Sequence, residues 1–299
     1  MRGSQRELRP PPLMYPDDLR SMVDSALEQL RFSTAQSTAP LEEAMRYSLL
    51  AGGKRIRPVL TLATARALGA DPERLLPAAC AIELIHTYSL IHDDLPAMDD
   101  DELRRGQPTS HVRYGEDVAI LAGDGLFAEA VRLFCEQPGD PAAVLAALRE
   151  LCAATGVDGM VGGQYVDVIG KELDAEDLRA LHALKTGRLI AASVGVALTL
   201  EDLGEPETIP YRRFAGELGV LFQIVDDILD VTESDEQLGK PRGSDERHGK
   251  LTYVSLFGLG RARELAAESH AKAVAALAEA DGATEDLNRV ADYIFTRNE

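Results

Sequence analysis

Apolar residues recur at three- and four-residue steps through most of the chain, and the two-residue alternation of strands is rare. In Tyr211–Thr232 the residues Phe214, Leu218, Leu221, Phe222, Val225, Ile228 and Leu229 form one stripe, the pattern of a core-facing helix. Comparable stretches run roughly over 17–31, 41–50, 58–68, 73–94, 117–135, 142–155, 175–200, 261–280 and 284–297, which predicts about ten helices. Gly52-Gly53, Pro58, Asp71-Pro72, Pro138-Gly139-Asp140-Pro141 and Gly204-Glu205-Pro206 punctuate them. No break is long enough to be a linker. The expectation is an all-α fold, one domain over 21–299, preceded by a flexible N-terminal arm over 1–20 that carries Arg2, Arg6, Arg9, Arg20 and Pro10 to Pro12.

With 299 residues, 45% of them hydrophobic, the chain must bury a real core. Its 31 Lys and Arg against 50 Asp and Glu give a net charge of -19, which repels nucleic acid and anionic membranes. Cys80, Cys135 and Cys152 are an odd number with wide spacing, which offers neither a disulfide framework nor a CxxC metal site, and a reducing, cytoplasmic compartment is expected. The longest apolar run, Leu189–Leu200, falls short of the ~20 residues that cross a bilayer and reads as a buried helix, so no stable membrane insertion is expected.

Against this background two acidic clusters stand out. His92-Asp93-Asp94-Leu95-Pro96-Ala97-Met98-Asp99-Asp100-Asp101-Glu102 puts six acids into the ten residues from Asp93, at the end of an apolar helix. Asp226-Asp227-Ile228-Leu229-Asp230 puts Asp226 and Asp230 on one helix face with Asp227 beside them. Like charges at that spacing oppose the helix, and burial makes the cost far larger, so a compensating positive group is required. Hard oxygen donors without His or Cys at zinc spacing favour Mg²⁺, which is held by a few carboxylates together with substrate phosphates. Either cluster alone is explained equally well as a solvated acidic face. Both together, one inside an apolar stripe, point to a phosphorylated substrate.

Basic residues supply the counterpart. Gly52-Gly53-Lys54-Arg55-Ile56-Arg57-Pro58 sets three cations at a glycine-led helix entry, Arg104-Arg105-Gly106 follows the first acidic cluster, and Lys185-Thr186-Gly187-Arg188 interrupts a helical region. Lys240 and Lys250 lie in a Gly-rich loop after the second cluster, and the loop 233–250 is a candidate lid. Arg188 and Arg242 read better as helix caps or surface partners. His86 lies two helical turns before Asp93, on the same face.

These residues resemble the trans-prenyltransferases, the isoprenyl diphosphate synthases, with the bacterial farnesyl diphosphate synthases as the nearest branch. The likeness covers about residues 20–299 and rests on five ordered matches. They are the Gly52–Pro58 junction; His86–Asp101 with Arg104-Arg105-Gly106, similar to a first aspartate-rich motif with a two-residue insertion; Lys185-Thr186-Gly187; Phe222-Gln223 before Asp226–Asp230, similar to the second; and the ending Ala291–Asn298. The resemblance implies a helical bundle around a deep central cavity, three Mg²⁺ with Mn²⁺ as a substitute, and a homodimer.

By the same resemblance Asp93, Asp94, Asp99, Asp226, Asp227 and Asp230 form the metal site, with Asp93, Asp99 and Asp226 as the direct ligands. Lys54, Arg57, His86 and Arg105 hold isopentenyl diphosphate; Arg104, Lys185 and Lys240 grip an allylic diphosphate, with Lys250 in the same loop; Thr186 and Gln223 lie near the reacting carbons. Lys185, Thr186, Gln223 and Arg104 are thus the catalytic candidates. Neutralised diphosphate leaves, the allyl cation is kept from water, and the double bond of isopentenyl diphosphate attacks it. Dipoles of Thr186 and Gln223, and the ring face of Phe222, are candidates to stabilise the cation, and the released diphosphate is the candidate proton acceptor. The residue five before the first motif, Tyr88, followed by Ser89, is expected to limit product length at C15, with C20 as the alternative.

Other readings weigh less. A helical HD-type metal phosphohydrolase would leave Asp226–Asp230 and Lys54–Arg57 without a role, terpene cyclases usually lack a second aspartate motif, and a non-catalytic partner subunit generally lacks one or both motifs.

Overall fold

The computed structural model describes residues 15–169, 175–232 and 251–297. Helices α1 (Asp17–Gln29), α2 (Ala39–Leu49) and α3 (Ile56–Ala67) are followed by a 3₁₀ turn, Pro72–Leu75, that leads into α4 (Leu76–Asp93). A two-residue antiparallel hairpin, Leu103–Arg104 with Gln107–Pro108, precedes α5 (Ser110–Tyr114), α6 (Glu116–Cys135), α7 (Pro141–Thr155) and α8 (Met160–Val168). Then come α9 (Ala175–His182), a π-helical turn (Ala183–Gly187), α10 (Arg188–Leu200), α11 (Glu205–Thr232), α12 (Tyr253–Leu277) and α13 (Glu285–Thr296). The fold is all-α, as the periodicity requires, and the hairpin is the only sheet among the described residues.

The helices α3, α4 and α10 are apolar on nearly every side because they sit at the centre. In α4, Ala78 to Ile85 are all buried, including Glu83, which is there to meet a buried arginine. In α10, Leu189, Ile190 and Ala192–Leu198 are buried, and a Thr61 hydroxyl from α3 donates to the Ser193 carbonyl at 2.7 Å. The stripe predicted for α11 is the buried one: Phe214, Leu218, Leu221, Val225, Ile228 and Leu229 all face the core, and α11 packs along α12. Two helical runs, Pro72–Asp93 and Glu176–Leu200, are long and apolar enough to cross a membrane by length and composition. Half or more of each apolar stretch is buried inside the fold, which accounts for the apolarity.

Four local departures from the expected pattern have physical causes. Helix α8 was hidden by Gly162 and Gly163, poor helix formers. The expected helix 175–200 is broken by the π turn at Ala183–Gly187, where Lys185-Thr186-Gly187 had already read as an interruption. Helix α11 begins at Glu205 and runs through Pro210, which forgoes the backbone bond to the Pro206 carbonyl. Helix α12 begins at Tyr253 instead of 261, through a kink at Gly258 with φ 77°. Of the expected N-terminal arm, residues 1–14 lie outside the described residues. Tyr15 is buried edge-on against Tyr293 of α13, 4.9 Å between ring centroids, and helix α1 starts at Asp17. All three cysteines are free thiols, Cys80 buried and Cys135 and Cys152 exposed.

Candidate active site

The Gly52–Pro58 junction sorts its three cations. Gly52 and Gly53 take φ of 85° and 125°, which favours glycine, and Arg55 itself is left-handed at φ 53°. That turn sends the Arg55 side chain inward, where Nε meets Asp24 at 2.9 Å, Nη1 meets Glu83 at 2.8 Å and Nη2 donates to the Leu49 carbonyl at 2.9 Å. Arg55 is therefore structural. Lys54 is exposed, its Nζ 5.0 Å from the Tyr293 ring centre, and its carbonyl accepts the Tyr15 hydroxyl at 2.8 Å.

Arg57 sits where its charge is not matched. Nη1 donates to His86 Nε2 at 3.3 Å, the guanidinium lies 5.7 Å from the Phe222 ring, and Nε is buried without a partner. Burial, with repulsion from Arg105 and Arg297, lowers its pKa from above 12 to about 10, against the pull of Glu83 and Asp226, so it stays charged at neutral pH. Because a guanidinium only donates, Nε2 of His86 must accept and Nδ1 carries the ring proton. Burial and four surrounding arginines hold the His86 pKa well below the ordinary value, leaving the ring neutral. Arg105, left-handed at φ 54°, reaches over Gly53 to the Gly52 carbonyl. The structure thus gathers Arg57, His86 and Arg105 at the junction whose backbone also carries Lys54.

A residue the sequence reading passed over joins this group. Arg297, at the end of α13, lies 4.6 Å from the Phe222 ring centre, its Nη2 makes a loose ion pair with Asp226 at 4.0 Å, and its Nε and Nη2 are buried without hydrogen-bond partners. Its only sequence signal was the C-terminal pattern Ala291–Asn298. In the ligand-free protein the Phe222 ring, expected to face an allyl cation, has two guanidiniums beside it. Two half-buried arginines with buried N–H groups that lack hydrogen-bond acceptors form a candidate anion site, since burying such donors costs free energy unless a ligand supplies acceptors.

The first acidic cluster caps α4. The loop folds back so that Asp99 N–H donates to the Asp93 carbonyl at 2.9 Å. Burial raises the Asp93 carboxyl to about 6, with Asp99 and Asp94 pushing the same way and Lys185 and Arg104 opposing. Asp94 is buried and bonded to Arg104, whose Nε lies 3.0 Å away and which also reaches Asp101 at 3.3 Å. Asp94 and Arg104, expected to meet metal and diphosphate, are engaged with each other.

The second cluster divides similarly. The Asp226 side chain is 55% exposed, while Asp227 and Asp230 are buried. Asp227 accepts from Gln223 Nε2 at 2.8 Å and from the Tyr253 N–H at 2.7 Å, which ties α11 to the start of α12. Thr186 Oγ1 donates to Gln223 Oε1 at 3.0 Å, and Lys185 Nζ is paired with Asp167 of α8 at 2.6 Å. Both come from the π turn, which glycines clamp from two sides. A Cβ at Gly163 would lie 2.6 Å from Lys185 Cα, and one at Gly219 would lie 2.9 Å from Gly187 Cα. Beside this turn the Gln164 amide and the His182 Nδ1 are buried without partners, and burial lowers the His182 pKa to about 4. Gln164 and Asp167 also escaped the sequence reading, because Gly162-Gly163 masked their helix.

Among the described residues no three acidic, histidine or cysteine groups converge into a preformed metal cage. The donors that fit a hard cation are Asp93, with its raised pKa, and Asp99 on one motif and the exposed Asp226 on the other; a cation taking only a few carboxylates would complete its shell with phosphate oxygens. Lys240, Lys250 and the expected lid 233–250 lie outside the described residues. Tyr88 is packed edge-on between His92 and Phe127, at 5.8 and 5.4 Å between ring centroids, and the Ser89 hydroxyl donates to the His86 carbonyl at 2.9 Å.

Residues 38–294 match the family model for polyprenyl synthetase. The chain is 46% identical over 253 residues to a farnesyl diphosphate synthase of Geobacillus stearothermophilus, covering 83% of this chain and 85% of that protein. It is also 46% identical over 264 residues to a chloroplastic geranylgeranyl pyrophosphate synthase of Capsicum annuum, covering 86% and 72%. A geranyltransferase from Helicobacter pylori, crystallised with magnesium and isoprenyl diphosphate, superposes with a TM-score of 0.85 over 98% of this chain and 99% of that one, at 32% identity.

Proposed function

This chain belongs to the polyprenyl synthetase family, a family of prenyltransferases, and we propose that it condenses isopentenyl diphosphate with dimethylallyl and then geranyl diphosphate, 1′ to 4, to release farnesyl diphosphate. The observation that carries the product assignment is the Tyr88 ring, wedged between His92 and Phe127 five residues ahead of Asp93. At 1.5 Å per residue that places it roughly 7 to 8 Å along α4 from the acidic end. A geranylgeranyl (C20) product is the second reading, favoured by the equal identity to the Capsicum annuum enzyme.

In this reading Lys54, Arg57, Arg105 and Arg297 bind the diphosphate of isopentenyl diphosphate, and neutral His86 adds a donor without adding charge. Lys185 and Arg104, with Lys240 and Lys250 beyond the described residues, serve the allylic diphosphate. To do so Lys185 must share its bond to Asp167, and Arg104 its bond to Asp94. Asp93, Asp99 and Asp226 would hold magnesium, and Asp94, Asp227 and Asp230 would orient and support that set. When bound, the metal neutralises the allylic diphosphate and makes it a leaving group.

The allylic C–O bond then breaks, with both electrons leaving on the diphosphate. The Thr186 hydroxyl donates its hydrogen bond to Gln223 Oε1, so its lone pairs are the negative end of a dipole available to an allyl cation. The double bond of isopentenyl diphosphate attacks that cation, a C–C bond forms, and the new cation loses a proton from C2 to the departed diphosphate. His86 is not suited to be the base, because its acceptor nitrogen is occupied by Arg57. The exposed Ile120, Leu121 and Phe127 of α6 fit cover by a second copy in a homodimer, and the three free thiols suit the cytoplasm.

The test is diphosphate release. It should require both substrates and Mg²⁺ together and stop with EDTA. Release of phosphate from either substrate alone, without elongation, would instead support a phosphohydrolase.

A further inference from the structure

The row of α4 that carries Tyr88 meets α6 through an imidazole seated on a glycine. His92, one turn beyond Tyr88, lays its imidazole on the backbone of Gly123. A Cβ there would overlap the ring, 2.5 Å from Cδ2 and 2.8 Å from Cε1 and closer still to Nε2. His92 Nε2 lies 3.0 Å from the Ile120 carbonyl, an acceptor, so Nε2 carries the proton and donates. The same imidazole packs edge-on against Tyr88, with 76° between planes, and Tyr88 packs edge-on against Phe127 at 81°. Phe127 follows Gly123 by four residues, so the row Tyr88 and His92 on α4 faces the row Gly123 and Phe127 on α6. The small residue at 123 admits the imidazole, the carbonyl at 120 fixes its rotation, and the fixed imidazole supports one edge of the Tyr88 ring.

We propose that His92, seated on Gly123 and bonded to the Ile120 carbonyl, is a positioning residue that sets product length by holding the Tyr88 ring across the path of the growing chain. This rests on the condensation proposed above. Its imidazole acts through Tyr88 and needs no contact with substrate.

The experiment measures the product ratio of C20 and longer to C15, from geranyl and isopentenyl diphosphates with Mg²⁺, for the wild type, His92→Ala, Tyr88→Ala, the double variant His92→Ala/Tyr88→Ala, and Gly123→Ala/His92→Ala. The single variant Gly123→Ala forces the overlap and risks the fold, whereas removing the imidazole relieves it. His92→Ala and Gly123→Ala/His92→Ala should both raise the ratio roughly threefold to tenfold, the scale set by loss of one edge-to-face ring pair. The KM for geranyl diphosphate should stay at the wild-type value. The double variant with Tyr88→Ala should match Tyr88→Ala alone, because the positioned ring is already absent. An unchanged ratio in His92→Ala, a further shift in the Tyr88→Ala background, or a wild type that already stops at C20 would overturn the proposal. A wild type that condenses nothing would fail the underlying reaction instead, and that result is read before any variant is made.

Discussion

Two arginines of one junction, Arg55 and Arg57, should respond oppositely to the same substitution. Replacing either by Met keeps approximate volume and removes the charge. For Arg57, burial lowers the pKa from above 12 to about 10; at about 1.4 kcal/mol per decade this is a penalty of up to roughly 3 kcal/mol for keeping the guanidinium charged in the free protein. Removing it forfeits the hydrogen bond to His86, worth about 1 kcal/mol, so Arg57→Met should leave the ligand-free protein as stable as the wild type or up to about 2 kcal/mol more stable. The same change deletes charge-assisted bonds to a diphosphate, each about 1.5 to 3 kcal/mol, and should raise the KM for isopentenyl diphosphate roughly tenfold to a hundredfold. For Arg55 the signs reverse. Arg55→Met strands the buried Glu83 carboxylate, and breaking one side of such a pair costs about 3 to 5 kcal/mol, with little direct effect on KM in the protein that still folds. Denaturant titration of both variants, beside steady-state kinetics, separates the two roles. An Arg57→Met protein that loses several kcal/mol while its KM stays at the wild-type value would refute the assignment of Arg57 to an anion site.

Three further outcomes follow from the same geometry. Without metal, Asp93→Asn should stabilise the protein at pH 7 and above by up to roughly 3 kcal/mol. The folded-state pKa of about 6 lies above the unfolded value of about 4, so the cost of ionisation is complete above pH 6 and gone below about 4; a melting series across that window in EDTA checks it, and equal stability at pH 7 would count against the burial of that carboxyl. His86 has its folded pKa below the unfolded value of about 6.5, so the wild type should lose stability as pH falls below that point. In His86→Gln that part of the slope should disappear, and adding inorganic diphosphate to the wild type should move the His86 proton resonance midpoint upward. Gly219→Ala places a methyl 2.9 Å from Gly187 Cα and should displace the π turn that carries Lys185 and Thr186, lowering kcat by tenfold or more (about 1.4 kcal/mol). Unchanged kcat with unchanged stability would show that the turn tolerates the shift.

The parts of this site that could be read from sequence are those written in local spacing. The stripe of α11, the two aspartate clusters and the cationic junction are each set by residues a few positions apart, and periodicity with charge density reveals them. What stayed hidden depends on direction. Nothing in Lys54-Arg55-Ile56-Arg57 says that Arg55 turns inward to Glu83 while Arg57 faces the site; a left-handed φ at Arg55 decides it. The bond between Arg104 and Asp94, ten residues apart, follows from the hairpin and its left-handed Arg105. Arg297 meets Phe222 only because α13 returns to the bundle beside α11, a contact across 75 positions. Gly163 hides its helix in sequence and Gly219 is silent inside the predicted stripe of α11, yet the structure makes both the close approaches that hold a π turn.

In the proposed reaction the two aspartate motifs and the arginine cluster elongate an allylic diphosphate to a length set at Tyr88. The most direct measurement incubates the wild-type protein with dimethylallyl and isopentenyl diphosphates and Mg²⁺, removes the phosphates, and separates the alcohols by chain length. Farnesol as the dominant product, absent when EDTA is added, is the result expected. Geranylgeraniol would keep the chemistry and remove Tyr88 as the stop, while recovery of only unextended dimethylallyl alcohol and isopentenol would rule out the condensation.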